Sequence, residues 1–276
     1  IERVLTARTK AIVVVHLAGW PADMVPIMAL AREHGIFVIE DCAQAHGAKI
    51  QERQAGSFGH AAAFSFCQDK IITTTGEGGL LALDDEVAWQ AAWSYKDHGK
   101  SFSAVFEREH PPGFRWLHET FGTNWRMLEA QAVVGRLQLA RLDEMVKLRN
   151  RNARVYREGL AGLDALRIPE IREGDVHAHY KFYVYVEDAA LRPTWNRDRI
   201  MFELAGMGVP VTSGSCSEIY LEKAFTSRGF GPDQRLPVAR ELGETALMFQ
   251  VHPNLERSMI VTAADMVRSV VLEATR

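Results

Sequence analysis

The sequence has few cysteines and no long run of apolar residues. Its 276 residues include three cysteines, Cys42, Cys67 and Cys216, which are widely spaced and odd in number. Neither a disulfide framework nor a CxxC metal site is therefore indicated. The longest apolar stretches, such as Ala11–Val15, are far shorter than the roughly 20 residues that cross a bilayer. We expect a cytoplasmic protein without a membrane segment.

The sequence also lacks an excess of charge of either sign. It has 32 basic and 35 acidic residues, with a formal net charge of −3 and no long run of one sign. Nothing therefore favours nucleic acid or an anionic membrane as the partner, and a small-molecule substrate is expected. The content of 47% hydrophobic and 24% charged residues is typical of a globular protein with a sizeable core.

Several catalytic and binding motifs are absent. The glycines of Gly76–Gly79 do not have the GxGxxG spacing, and there is no P-loop, so neither NAD nor ATP is expected as a ligand. Gly56–Gly59 lacks the nucleophile-elbow pattern of a serine hydrolase. His177 and His179 are two residues apart and no partnering cluster of carboxylates supports a metal site there, so we expect no metal.

The first half of the chain alternates short β-branched runs with helical patterns. Strands are predicted at Ala11–Val15, Ile36–Ile39, Ala61–Phe66 and Gly79–Leu83. A helix is predicted from Pro21 to Glu33, with Pro21 in its first turn and Gly35 just past its end. This alternation, with strands that are apolar throughout, predicts an α/β fold whose mostly parallel sheet is covered by helices on both faces.

The longest helical pattern begins at Trp125 and continues until charged residues dominate around Arg149–Arg157. Beyond it, strand and helix patterns alternate less regularly. Strands are predicted at His179–Val186, Val209–Thr212 and Leu247–Val251, and helices at Asn196–Ala205 and Thr262–Ala274. We predict a large domain over residues 1–150 and a smaller α+β domain over residues 151–276.

Three residues have the chemistry of a pyridoxal 5'-phosphate (PLP) site. Asp41 ends an apolar run, Lys70 follows 29 residues later, and Ser65 lies five residues before that lysine. A carboxylate keeps the pyridine nitrogen protonated, an amine forms the Schiff base, and a hydroxyl binds the phosphate. Ala43 would lie beneath the ring beside Asp41, and Gln44 could reach the phenolic oxygen. Taken singly, Asp41 also fits a helix cap or loop residue.

Each of six further sequence motifs is weak singly, but their occurrence together in this order is specific. The motifs are Val15–Met24, Glu40–Ala48, Gly56–Gly59, Phe64–Lys70, Gly76–Gly79 and Gly122–Met127. Together they resemble the DegT/DnrJ/EryC1/StrS family of PLP-dependent nucleotide-sugar aminotransferases over nearly the whole chain. The resemblance implies the aspartate-aminotransferase fold, which is PLP fold type I. Family members also carry a further N-terminal stretch with a phosphate-binding turn and a stacking aromatic residue, so we expect this chain to lack that part.

The resemblance also implies residue roles. Lys70 is the lysine of the internal aldimine and the proton shuttle, and Asp41 is the partner of the pyridinium nitrogen. Ala43 contacts the ring face, Gln44 binds the ring oxygen and Ser65 binds the phosphate. The resemblance further implies that Asn124 reaches the phosphate of a neighbouring subunit, so that a homodimer shares its active sites, while Arg126 organises the same loop.

The implied reaction moves an amino group, from glutamate as the expected donor, to a keto-sugar attached to a nucleotide. A dehydratase branch of the family replaces the lysine with histidine, so Lys70 favours amino transfer. Glu218, Tyr220 and His252 lie in segments that resemble substrate-facing ones, although ordinary packing or surface roles remain the alternative. The alternative function is a PLP-binding or sugar-sensing regulator that keeps the fold without turnover.

Overall fold

The computed structural model describes residues 1–113 and 115–275, which form two compact units. The first unit consists of Ile1–Asp143 with Gly174–Val176, and the second of Glu144–Glu173 with His177–Arg276. Each unit contains its own sheet. The assignment of residues 1–150 and 151–276 to a cofactor-binding and a smaller domain stays a prediction.

The first unit contains six strands: β1 (Ala11–Val15), β2 (Phe37–Asp41), β3 (Lys49–Ile50), β4 (Arg53–Gln54), β5 (Ala61–Ser65) and β6 (Gly79–Leu83). Its main sheet has the order β1-β2-β5-β6. Strand β2 is parallel to both β1 and β5, whereas β6 is antiparallel to β5. The expected mostly parallel sheet is therefore confirmed, with all four predicted strands in it.

A small antiparallel hairpin of β3 and β4 explains why three later residues belong to this unit. The backbone groups of Lys49 and Val176 form two mutual hydrogen bonds, each 2.9 Å long. In addition, the N–H of Gln51 donates to the Asp175 carboxylate at 2.9 Å. Residues 174–176 thus extend the hairpin as an added strand-like segment.

The first unit contains four α-helices, α1 (Met24–His34), α2 (Glu86–Lys96), α3 (Phe102–Phe106) and α4 (Glu129–Leu139). Helix α1 ends at Gly35, whose φ of 63° is the left-handed conformation common at helix C-termini. It begins three residues later than predicted, so Pro21 does not lie in its first turn. Residues 21–23 precede the helix, and the N–H of Ala22 there donates to His16 Nδ1 at 3.0 Å.

The two faces of the main sheet differ in burial. Val14 and Val38 are buried on one face, as expected for neighbouring parallel strands. On the other face, Val13, Val15 and Phe37 are 63%, 50% and 62% exposed. Alternate residues of a strand point to opposite faces, so these strands are apolar on both faces but covered on one. The expectation of helices on both faces is therefore not met in the part of the chain described.

The remaining strands are β7 (Leu166–Arg167), β8 (Phe182–Val186), β9 (Val211–Thr212) and β10 (Ala246–Phe249), and the helices are α5 (Leu142–Gly159), α6 (Arg197–Gly206), α7 (Lys223–Thr226), α8 (Pro237–Thr245) and α9 (Arg257–Thr275). These strands form an antiparallel sheet in the order β7-β8-β10-β9, and helices accompany it. The expected α+β arrangement of this half is confirmed. No helix within 1–113 and 115–275 is long and apolar enough to cross a membrane.

The long helical pattern after Trp125 is divided between α4 and α5, which are separated by two residues. The charged stretch near Arg149 does not end α5, because Arg149 and Asn152 lie on its buried face. Tyr156 of the same face stacks on Phe182 of β8, with 5.4 Å between ring centroids. This helix is therefore amphipathic and packs on the second unit's sheet.

Candidate functional site

The carboxyl ends of three strands in the first unit meet at one edge of its sheet. Val15 of β1 pairs with Asp41 of β2, and Asp41 pairs with Ala63 of β5. The register continues past the strands, because the N–H of His16 donates to the Asp41 carbonyl and that of Cys42 to the Ala63 carbonyl. Open α/β sheets bind ligands at such edges. Asp41 and Ser65, two residues beyond Ala63, therefore belong to neighbouring strand ends.

Asp41 and its neighbours alternate between an open and a buried side of the strand end. Asp41 and Ala43 are half-buried, whereas Glu40 and Cys42 are fully buried. The N–H of Ala43 donates to Asp41 Oδ1 at 3.0 Å, which fixes the carboxylate while leaving Oδ2 for another donor. This is the arrangement that a partner of a protonated ring nitrogen requires.

Gln44 is held by the turn that follows β1. Its Oε1 accepts a hydrogen bond of 2.7 Å from the N–H of Ala18, whose φ is 58°. With the carbonyl oxygen engaged, the amide NH2 group is the end left to donate. An NH2 donor suits a phenolate oxygen, so the amide orientation fits the role predicted for Gln44.

Ser65 and Lys70 lie at and beyond the end of β5. The Ser65 Oγ accepts a hydrogen bond of 3.4 Å from the N–H of Cys67, which leaves its own proton for an acceptor such as a phosphate oxygen. The backbone turns there, since the N–H of Lys70 donates to the Cys67 carbonyl at 3.1 Å. The Lys70 side chain is 15% exposed, and its Nζ lies 3.8 Å from Asp69 Oδ1.

A buried, hydrogen-bonded pair of side chains lies directly behind these residues, and sequence reasoning missed it. Glu40 Oε2 accepts from His16 Nε2 at 2.9 Å, and both side chains are fully buried. The same carboxylate accepts hydrogen bonds of 2.6–2.7 Å from the N–H groups of Gly56, Phe58 and Gly59. The signals were present, because these residues belong to segments that carried the family resemblance.

The protonation states of this pair follow from its hydrogen bonds. His16 Nδ1 accepts from the N–H of Ala22, so the ring proton sits on Nε2 and points at Glu40. Burial opposes the charge on Glu40, but the donors from His16 and the backbone outweigh it and hold its pKa below the usual value. Glu40 is thus a buried carboxylate whose negative charge is stabilised by hydrogen bonds.

The same pair belongs to a potential metal-ligand group with Cys42, since ligand atoms of the three residues lie within 4.8 Å of one another. The donor set does not suit a cation, because both carboxylate oxygens of Glu40 and both ring nitrogens of His16 are already used. Burial and the nearby carboxylates also raise the pKa of the Cys42 thiol, which disfavours the thiolate that binds metals.

Asn124 lies on a loop that is tied to the end of helix α2. Its backbone bridges to Asp97, and its Oδ1 accepts from Arg126 Nε at 3.2 Å. Arg126 Nε also lies 3.6 Å from the Asp97 carboxylate. Burial opposes the Asp97 charge, but hydrogen bonds from Lys100 and His98 lower the pKa overall. The exposed Asn124 side chain is therefore oriented by a charged network.

Glu218 and Tyr220 of the second unit hydrogen-bond to each other and to Arg235. The Tyr220 hydroxyl donates to Glu218 Oε1 at 2.6 Å and accepts from the N–H of Leu236 at 2.9 Å. Arg235 binds both carboxylate oxygens of Glu218. These bonds, from Arg235 first and then Tyr220, lower the pKa of Glu218 to about 2. The contacts join residues 218–220 to residues 235–236, and a substrate role stays a prediction.

His252 of the second unit is exposed, and its Nδ1 accepts from the N–H of Asn254 at 3.2 Å. Desolvation, together with the positive charges of Arg149 and Lys181, lowers its pKa, so the ring is neutral near pH 7. A neutral ring with a solvent-facing edge can bind a polar ligand, but its predicted substrate role has no further support from its contacts.

The residues at the strand ends of the first unit fit PLP by the chemistry of their donor set. A carboxylate, a donating amide, a hydroxyl and an amine are all half-buried at one sheet edge. The side chain beside the carboxylate is Ala43, which is small enough to leave space for a ring. The roles of Asp41, Gln44, Ser65 and Lys70 toward the cofactor stay predictions.

The chain is similar to known proteins over nearly its whole length. The chain is 34% identical to the UDP-N-acetyl-3-dehydro-alpha-D-glucosamine 3-aminotransferase of Acidithiobacillus ferrooxidans, over 97% of this chain and 66% of that protein. It is 52% identical to an aminotransferase of known structure from Psychrobacter cryohalolentis, with a TM-score of 0.96 over 100% of this chain and 72% of the other. It is 32% identical to S. venezuelae DesV, solved in complex with a ketimine intermediate, with a TM-score of 0.85 over 98% and 67% of the two chains.

The chain thus spans just under two thirds of the length of the first of these relatives. The structure from Psychrobacter cryohalolentis is an aminotransferase, and the TM-scores of 0.96 and 0.85 confirm the expected fold. A family model also matches residues 1–268, nearly the whole sequence. The chain belongs to the DegT/DnrJ/EryC1/StrS aminotransferase family.

Proposed function

We propose that this protein is a PLP-dependent aminotransferase that transfers an amino group, from glutamate as donor, to a keto-sugar linked to a nucleotide. The observation that carries the proposal is the set of four side chains, Asp41, Gln44, Ser65 and Lys70, at one edge of the first unit's sheet. Family membership supports it, since similar proteins are named as sugar aminotransferases. Three thiols without disulfides fit the reducing cytoplasm as the compartment.

Each residue has a distinct task in this reaction. PLP supplies an electron sink that stabilises the negative charge left when the α-proton of an amino acid is removed. The Asp41 carboxylate, held by the Ala43 N–H, would accept a hydrogen bond from the protonated ring nitrogen. Lys70 would hold the cofactor covalently through its Nζ and, as a free amine, would move a proton. Ser65 would donate to the phosphate, and Gln44 would donate to the ring oxygen.

The overall reaction is balanced without an external oxidant. Glutamate loses its amino group and becomes 2-oxoglutarate, while the carbonyl of the sugar becomes a carbon bearing one hydrogen and an amino group. The relative from Acidithiobacillus ferrooxidans is named for amination of a 3-keto sugar on UDP. We propose that Glu218, Tyr220 and His252 contribute to the same class of substrate here.

We further propose that two copies of the chain share their active sites, with Asn124 of one copy binding the phosphate held by the other. The supporting observation is the surface around Asn124, where Trp125 is 69% and Phe121 is 100% exposed. Exposed apolar patches of this kind are common at protein interfaces. The hydrogen bond from Arg126 orients the Asn124 amide for such a contact.

The decisive experiment is borohydride trapping. The protein is incubated with PLP, reduced with borohydride and digested, and the labelled peptide is identified by mass spectrometry. We expect label on Lys70 and its loss in Lys70→Ala, while Lys49→Ala, at another half-buried lysine of the same unit, keeps the label. Label that persists in Lys70→Ala would refute the proposal.

Incubation with glutamate separates an enzyme from a regulator. An aminotransferase releases 2-oxoglutarate and converts the cofactor to its pyridoxamine form, which absorbs at shorter wavelength. A non-catalytic PLP-binding regulator leaves the spectrum unchanged with every amino donor. Unchanged spectra together with label on Lys70 would support the regulator and contradict the enzyme.

A further inference from the structure

The residues around Lys70 form a closed loop between β5 and β6, which we call the Lys70 loop (residues 66–78). The N–H of Phe66 donates to the Gly78 carbonyl at 2.8 Å, and the N–H of Thr74 donates to the Phe66 carbonyl at 3.1 Å. Ile71 and Ile72, directly after Lys70, are each 3% exposed. The lysine therefore projects from a segment whose backbone is held on both sides.

One face of helix α4 contacts the far side of this loop. Gln138 Oε1 accepts from the N–H of Thr73 at 3.0 Å, and Gln131 Nε2 donates to the Glu77 carbonyl at 2.9 Å. Between these residues lies Gly135, where an added Cβ would come within 3.0 Å of Thr74 Cγ2. Positions 131, 135 and 138 are four and three residues apart, so they share one helix face.

We propose that Gln131 and Gln138 are positioning residues that hold the Lys70 loop and thereby set the place and the reactivity of the Lys70 amine. This inference rests on the proposed function of Lys70. Gln138 binds the backbone only three residues from that lysine, and Gln131 binds it near the start of β6. Both bonds are made to main-chain groups, so they act on the loop whatever its side chains are.

The two glutamines bind the loop through opposite ends of their side-chain amides, Gln138 through the oxygen and Gln131 through the nitrogen. Gln138 accepts from an N–H, which a carboxylate can also do. Gln131 donates to a carbonyl while its Oε1 accepts from the N–H of Leu128 at 3.2 Å. A glutamate at position 131 cannot donate, and its oxygens would repel the Glu77 carbonyl. Glutamate should therefore replace Gln138 but not Gln131.

This difference between the two glutamines allows a test with two variants that add the same charge. Gln138→Glu and Gln131→Glu each introduce one negative charge on the same helix face, so a different response reports hydrogen bonding and not charge. Gln138→Ala removes the acceptor. Arg136→Ala, at an exposed position of the same helix, is the control. Melting temperature is recorded for each variant.

The first measurement needs no cofactor. The rate of Lys70 acylation by acetic anhydride at fixed pH, followed by mass spectrometry, reports how accessible and reactive the amine is in the protein without PLP. We expect Gln138→Ala and Gln131→Glu to change this rate by about threefold or more, because the loop is no longer held on its far side. Gln138→Glu and Arg136→Ala should match the wild type.

The second measurement is kinetic, on the PLP-loaded protein. A displaced amine should lower kcat by roughly 10- to 100-fold in Gln138→Ala and Gln131→Glu, with KM for glutamate little changed. If these two variants match Arg136→Ala in both measurements, or if Gln138→Glu is as impaired as Gln138→Ala, the positioning role is wrong. Absence of cofactor on Lys70 in the wild type would instead reject the proposed function itself.

Discussion

Replacing Glu40 with glutamine keeps the shape of a buried side chain but removes its charge and one of its two acceptor oxygens. In the native structure Oε1 accepts from the N–H groups of Phe58 and Gly59. Oε2 accepts from the N–H of Gly56 and from His16 Nε2. A glutamine can satisfy one of these pairs with its oxygen, and its NH2 group would then face two donors at the other.

The expected cost follows from those two donors. A buried donor that loses its acceptor costs about 1–3 kcal/mol, so two of them cost about 2–6 kcal/mol. We therefore expect Glu40→Gln to lower the free energy of unfolding by about 4 kcal/mol, a large fraction of the 5–15 kcal/mol typical of a domain.

Urea unfolding followed by tryptophan fluorescence is the appropriate assay. Five of the six tryptophans report on the first unit, which contains Glu40: Trp20, Trp89, Trp93, Trp116 and Trp125. The control is Glu52→Gln, which removes the same charge from an exposed position and should change stability by less than about 0.5 kcal/mol. Equal urea midpoints for the two variants would refute the role of Glu40.

The pH dependence gives a second check on the same residue. Because the folded pKa of Glu40 is lowered, its charge contributes stability that is present above the unfolded pKa of about 4.3 and is lost as the pH falls through the folded pKa. The difference in stability between wild type and Glu40→Gln should therefore be constant from pH 6 to 8 and shrink below about pH 4. A difference that persists unchanged into acid would contradict this account.

Two further predictions concern a histidine pair and a glycine. His177 and His179 are stacked and buried, and burial lowers the pKa of His179 to about 3. The unfolded chain therefore binds a proton at this position before the folded protein does, so the free energy of unfolding should fall from pH 7 to 5. In urea titrations His179→Gln should reduce this slope by up to about 1.4 kcal/mol per pH unit, and an unchanged slope would contradict the account. Gly99 and Gly35 both have positive φ, but only at Gly99 would a Cβ overlap the Thr120 carbonyl. Gly99→Ala should therefore lower the thermal midpoint clearly more than Gly35→Ala, and equal midpoints would count against the close contact.

The sequence by itself was sufficient to predict the helices and strands whose bounds depend on neighbouring residues in the chain. The strands β1 and β6 were predicted with their observed bounds, because runs of apolar residues have the length and periodicity of strands. Gly35 marks the end of α1 because its φ suits few other residues. The candidate cofactor residues could also be named in advance, since carboxylate, amide, hydroxyl and amine are chemical properties of the side chains themselves.

The tertiary structure decided what depends on contacts between distant residues. His16 and Glu40 are 24 residues apart and Gln138 lies 65 residues from Thr73, so no local pattern could show that these pairs meet. Side-chain chemistry is a property of single residues, whereas partners, burial and the resulting pKa shifts arise only when the chain folds. That is why the sequence indicated Asp41 and Lys70, and only the fold revealed the residues that hold them in place.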